Sequence, residues 1–150
     1  MSHRLNLSKS GPKLYQAMGE LEKLAKEAAE SAGIDPGLGH LLRLRASQIN
    51  GCAYCVRMHT QDALSVGESI ERVSVLPAWR ETGYFTPKER AALALVEAIT
   101  NIADGQIPDA VYEQAASHLD ESEISAIEWA AITINAWNRI AIASRYPVGP

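Results

Sequence analysis

Apolar residues three and four positions apart recur along almost the whole chain, and that periodicity confines it to packed helices. Leu14, Met18, Leu21, Ala25 and Ala28 form one such stripe, with Glu20, Glu22, Lys23, Lys26, Glu27 and Glu30 on the other faces. This helix is expected to end near Gly33, its stripe serving the core or a subunit contact. Asp35-Pro36 is a start signal, a capping residue followed by proline at the first helical position. The helix it opens should reach about Ile49, where Asn50-Gly51 tolerates the positive φ of a tight turn. A second helix should run from about Cys52 toward Gly67. A short helical piece closed by Pro77 and an aromatic-rich connector, Trp79 to Phe85, come next.

Thr86-Pro87-Lys88-Glu89 combines a capping threonine, proline at the first position and glutamate three residues after the cap. Its helix carries Ala92, Leu95, Val96 and Ile99 on one side. Gly105 to Pro108 reads as a loop before a helix from Asp109 to about His118. Asp120 with Glu123 repeats the capping box and opens a helix bearing Ile124, Ile127, Ala131, Ile134 and Trp137. Arg145 to Pro150 reads as a tail. No strand-length alternation, internal repeat or low-complexity linker interrupts this pattern. The expectation is an all-α fold, a single domain over 1–150 with about six to seven helices. A chain of 150 residues can bury a core without a disulfide or metal staple.

The formal charge of −4 argues against nucleic acid, which calls for a clustered basic face. Arg43, Arg45 and Arg57 are the one local gathering of basic groups, read as a solvated helix face. No run approaches the ~18 apolar residues of a membrane span, and the N-terminus has no signal-peptide core. A cytoplasmic, reducing location is therefore expected, where two closely spaced cysteines serve catalysis or metal binding rather than a structural bridge.

Those cysteines, Cys52 and Cys55, fall with two of the four histidines inside His40–His59. On a helix starting at Cys52, the side chains of Cys52, Cys55 and His59 project at about 0°, 300° and 340° and share one face. Cys55 and His59 are i, i+4 neighbours, and Cys52 and Cys55 have the spacing that closes a Cys-x-x-Cys disulfide. A helix N-terminus favours thiolate, and a nearby imidazole can take the thiol proton, so a depressed thiol pKa is expected. The dipole favours Cys52 as the attacking sulfur. The histidine one turn on favours Cys55, a sharper influence, leaving Cys52 to resolve. If the helices around Asn50-Gly51 fold back as a hairpin, His40 lies opposite about residue 61, within one turn of His59. A relay from His40 through His59 to Cys55 is then geometrically available. Tyr54 is placed to shape the entrance, and Ser47 and Asn50 to hydrogen-bond across the turn. A rival reading is a zinc or partner-binding helical module, with Cys52, Cys55, His59 and His40 as a Cys2His2 ligand set.

The segment Arg45-Ala-Ser-Gln-Ile-Asn-Gly-Cys-Ala-Tyr-Cys-Val-Arg-Met-His59 resembles the core motif of the AhpD-like alkylhydroperoxidases, within the carboxymuconolactone decarboxylase superfamily. Ala78-Trp-Arg-Glu, Glu89-Arg-Ala-Ala-Leu and Ile134-Asn-Ala-Trp-Asn-Arg139 are similar to the same branch, so the resemblance spans about Asp35 to Arg145. It implies a helical fold assembled as a trimer or hexamer and an antioxidant thiol peroxidase that needs no added cofactor. It also implies a small hydroperoxide as substrate and an external dithiol, of thioredoxin or lipoyl type, as reductant. On matching positions Cys55 is the peroxidatic cysteine, Cys52 the resolving one and His59 the relay histidine. Two positions depart: His40 stands where the family's namesake has glutamate, and Tyr54 where it has histidine. A lactone decarboxylase of the same superfamily is the alternative activity.

Overall fold

The described residues, 3–150 of a computed structural model, form helices joined by short turns, with no strand among them. In chain order these are α1 (Leu7–Ser10), α2 (Pro12–Ser31), α3 (Pro36–Asn50), α4 (Ala53–Ser65), α5 (Ile70–Val75), a 3-10 segment (Leu76–Glu81), α6 (Pro87–Thr100), α7 (Asp109–His118) and α8 (Glu121–Ala143). The helix beyond the expected count is α1, a single turn held by the Ser8 N–H donating to Asn6 Oδ1 at 3.0 Å. The expected aromatic connector is half helical, because Trp79 turns inward and its Nε1 donates to Glu97 Oε1 at 2.8 Å.

The start signals act as local chemistry requires. Asp35 accepts the Leu38 N–H at 3.2 Å. Thr86 with Glu89 and Asp120 with Glu123 close complete capping boxes, each replacing orphaned N–H groups with side-chain partners.

Helix α3 is the centre of the molecule, with α4, α6, α8 and the 3-10 segment packed around it. Leu41, Leu42, Leu44, Ala46 and Ser47 on it are shut off from solvent. Each buried leucine of this kind contributes about 1.5–3 kcal/mol of transfer free energy. Encirclement also corrects the solvated arginine face. Arg43 is buried, with Nη2 3.1 Å from Glu22 Oε1, and Arg45 Nε is 2.8 Å from Glu97 Oε1. Only Arg57 is exposed.

Helix α2 lies against α8 with its inner face rotated from the predicted stripe. Met18 and Ala25 of the stripe turn inward together with Tyr15, Glu22 and Ala29, while Leu14 stays 78% exposed and Ala28 is exposed. Two polar contacts demand this rotation: Glu22 reaches Arg43, and it accepts from Trp137 Nε1 at 3.2 Å. A buried guanidinium left unpaired would cost more than an exposed leucine.

Candidate active site

The hairpin between α3 and α4 builds the site. Gly51 takes the left-handed conformation, φ +68°, that ends α3 and reverses the chain. The Cys52 N–H then donates to Ser47 O at 3.0 Å, and Cys52 itself is extended rather than helical. Its sulfur accepts the Cys55 N–H at 3.3 Å, so Cys52 caps α4. The shared helical face therefore holds for Cys55 and His59 but not for Cys52, which reaches Cys55 by folding its side chain back. Both cysteines are free thiols and both are buried.

Burial reverses the expected thiol chemistry. Loss of solvent, followed by the hydrogen bond to the Cys52 sulfur, pushes the Cys55 thiol up to about 12; a hydrogen bond from Asn138 pulls the other way. Desolvation penalises an anion more than a helix end or one amide rewards it. Cys55 is held as a thiol at neutral pH.

Asn138 is one of the residues that sequence reasoning quoted without giving a role. It is fully buried on α8, its Nδ2 donates to Ser47 Oγ at 3.0 Å, and its Oδ1 accepts from Asn50 Nδ2 at 2.9 Å. Ser47 and Asn50 thus bond to α8 rather than across their own turn. This polar floor sets the depth at which Cys55 sits.

His40 and His59 come together as the hairpin geometry anticipates, their rings 5.9 Å apart and tilted by 35°. Between them lies Asp62, which sequence reasoning missed. Its Oδ2 is 3.7 Å from His59 Nδ1 and 3.9 Å from His40 Nδ1. The signal was present, since Asp62 is three residues after His59 on the same helix face. A carboxylate from α4 therefore occupies the region where the family pattern would bring one from position 40. Burial, then the charge on Arg43, then His40, lower His59 to about 3. His40 is lowered as well, its burial outweighing the attraction of Asp62. Both imidazoles are neutral at pH 7, and neither Nδ1 has a hydrogen-bond partner.

A cavity of about 250 Å³ opens onto this group, lined by Tyr54, Cys55, Met58, His59, Asp62 and Trp137 among others. Cys52 faces a separate crevice of about 90 Å³ beside Tyr54 and Tyr146. His40 borders a third, wider cleft of about 700 Å³ between α2 and α3, with Lys26 and Arg43. The segment read as a tail, Arg145 to Pro150, also reaches the site. Its Tyr146 turns back and packs edge-to-face on Tyr54, centroids 5.2 Å apart, closing one side of the dithiol. The zinc set anticipated from the motif is not what converges. Among the described residues the close ligand group is His40, His59 and Asp62, without either cysteine.

Residues 12–98 match the Carboxymuconolactone decarboxylase family. The uncharacterized protein YdfG of Bacillus subtilis (strain 168) is 38% identical over 143 residues, which cover 95% of each chain. The crystal structure of ATU0492 from Agrobacterium tumefaciens, a protein of unknown function provisionally assigned to AhpD-type antioxidant defence, superposes with a TM-score of 0.88 at 38% identity. That match covers 99% of this chain and 100% of the other. The debrominase Bmp8 shares the fold, with a TM-score of 0.80 at 20% identity over 94% of this chain and 74% of its own.

Proposed function

The chain belongs to the carboxymuconolactone decarboxylase family, in its AhpD-like branch, and on that footing we propose that it is a dithiol-dependent hydroperoxide reductase. The observation that carries this reading is the placement of the two thiols. Cys55 lines the cavity that also holds His59 and Asp62, while Cys52 touches Cys55 from behind and faces away from that cavity. One sulfur can meet a small hydroperoxide and the other is positioned to resolve it.

The Cys55 sulfur attacks one peroxide oxygen, an S–O bond forms and the O–O bond breaks. Because Cys55 is held as a thiol, its proton leaves in the same event. The departing alkoxide is far more basic than either imidazole and takes that proton through neutral His59, giving the alcohol. Cys55 is then a sulfenic acid. Cys52 condenses with it, forming the disulfide and releasing water. An external dithiol returns both electrons by thiol–disulfide exchange. His40 lies beside the His59 ring, and Asp62 Oδ2 is 3.7 Å from the His59 Nδ1 edge. None of these steps calls on a further cofactor, and no helix among the described residues is long and apolar enough to cross a membrane. A cytoplasmic setting, with its thiol reductants, suits this cycle.

The test is a thiol count before and after one equivalent of peroxide, followed by turnover with a dithiol donor. Loss of both thiols, restored by the donor, is expected. A Cys55→Ser chain that consumes peroxide as fast as the parent would sink the proposal.

A further inference from the structure

We propose that His40, His59 and Asp62 form a binding site for a divalent transition cation at the inner edge of the hairpin. One nitrogen from each imidazole and one carboxylate oxygen lie within 4.8 Å of one another. Two histidines and a carboxylate with room for solvent are the donor set that zinc-class and ferrous ions take.

The spacing between these groups is what distinguishes a ligand set from an ordinary polar contact. Asp62 Oδ2 stands 3.7 Å from His59 Nδ1 and 3.9 Å from His40 Nδ1. Both distances are too long for a hydrogen bond. Two ligands sharing a tetrahedral ion with bonds of about 2.0–2.1 Å sit roughly 3.3 Å apart. The two gaps to Asp62 therefore need to close by only tenths of an ångström, and the two imidazole donors start within 4.8 Å of each other.

Within this group of three, two polar atoms are left in want of a partner. His40 Nδ1 and His59 Nδ1 are both buried and neither is hydrogen-bonded. Buried polar atoms are nearly always satisfied, and two unsatisfied nitrogens beside one carboxylate oxygen are donors that a cation can take up. Access is available too, since the Asp62 side chain is 44% exposed while that of His59 is 6%. The ion would enter past Asp62 and seat against His59. At His40 the charges are mixed, Lys26 and Arg43 opposing Asp62 and Glu22, whereas Arg43 and Lys26 are the charged side chains acting on His59. The Asp62 carboxylate supplies the site's own negative charge toward an incoming cation.

Binding rests on this geometry alone and not on the peroxidase reading. The two share His59, however, so an occupied site would take away the imidazole that conducts the Cys55 proton and would arrest peroxide reduction.

The experiment is titration of the full chain with Co²⁺ as probe, read by its visible absorption and repeated for three variants. One Co²⁺ per chain is expected, displaced by Zn²⁺ but not by Mg²⁺, which prefers an all-oxygen shell. Affinity should fall about tenfold or more in His40→Ala and in Asp62→Asn. Both residues are at the rim, so these chains should fold, and circular dichroism checks that. The signal should persist in a Cys52→Ser/Cys55→Ser chain, without a thiolate charge-transfer band. No saturable binding, a signal lost with the cysteines, displacement by Mg²⁺, or indifference to both rim variants would each overturn the site.

Discussion

Cys52 Sγ accepts the Cys55 backbone N–H at 3.3 Å, so one member of the dithiol is the N-terminal cap of the helix that carries the other. Capping and redox chemistry thus meet in a single sulfur, and substitutions can part them. Serine is a good capping residue and alanine is not. Cys52→Ser should keep the thermal stability of the reduced chain, whereas Cys52→Ala should lose about 1 kcal/mol. Both should stop after a single peroxide equivalent. Thermal melts beside a turnover assay check this, and equal stability of the two variants would remove the capping role.

Cys55 predicts a second behaviour. With its thiol pushed up to about 12, alkylation at Cys55 by iodoacetamide should be slow at pH 7 and rise steeply only well above pH 9. The same shift bears on stability. Between the unfolded value of 9.0 and the folded value of about 12, the native state keeps a proton that the unfolded state has released. Stability is full below pH 9 and is lost as pH rises through that window. A Cys55→Ser chain should show a flatter alkaline limb in melts run from pH 8 upward. Fast alkylation of Cys55 at neutral pH would contradict the buried-thiol account.

His59 works in the opposite direction. Lowered from 6.5 to about 3, it binds fewer protons folded than unfolded across that interval. Its contribution is present above pH 6.5 and drains away as pH falls toward 3. By pH 5 the loss should be about 2 kcal/mol. His40 is shifted in the same sense and adds to it. A His59→Gln chain melted from pH 7 to pH 4 should lose less stability than the parent. An acid limb of the same slope in both would show that His59 is not neutral in the fold.

A groove between α2 and α8 carries the fourth prediction. Leu21, Leu24, Ala25, Ala28 and Trp129 line an apolar groove, and Trp129 remains 47% exposed. We propose that a second copy of the chain covers this face, the homo-oligomer being what the family resemblance implies. Trp129→Glu should shift sedimentation toward the monomer without lowering helical content. An unchanged sedimentation profile would move the interface elsewhere.

Much of this molecule was legible before any coordinates. The helices follow from three- and four-residue periodicity, and their starts from Asp35, Thr86 and Asp120. The reversal follows from Gly51, and the approach of His40 to His59 follows from the reversal. All are local: a cap bonds three residues on, and a turn needs a residue tolerant of positive φ.

What the tertiary structure decided concerns burial, which depends on neighbours remote in the chain. Asn138, coming from α8, supplies the floor beneath Cys55, and Tyr146 closes over Tyr54 from the tail. Encirclement of α3 turns Arg43 from a surface charge into a buried ion pair with Glu22. It also rotates α2 away from its leucine stripe. The same enclosure raises the Cys55 thiol where the helix terminus alone would have lowered it. Sequence determined which groups could meet at the hairpin; the packing of α2 and α8 over it determined their protonation, because desolvation is a property of everything that surrounds a charge.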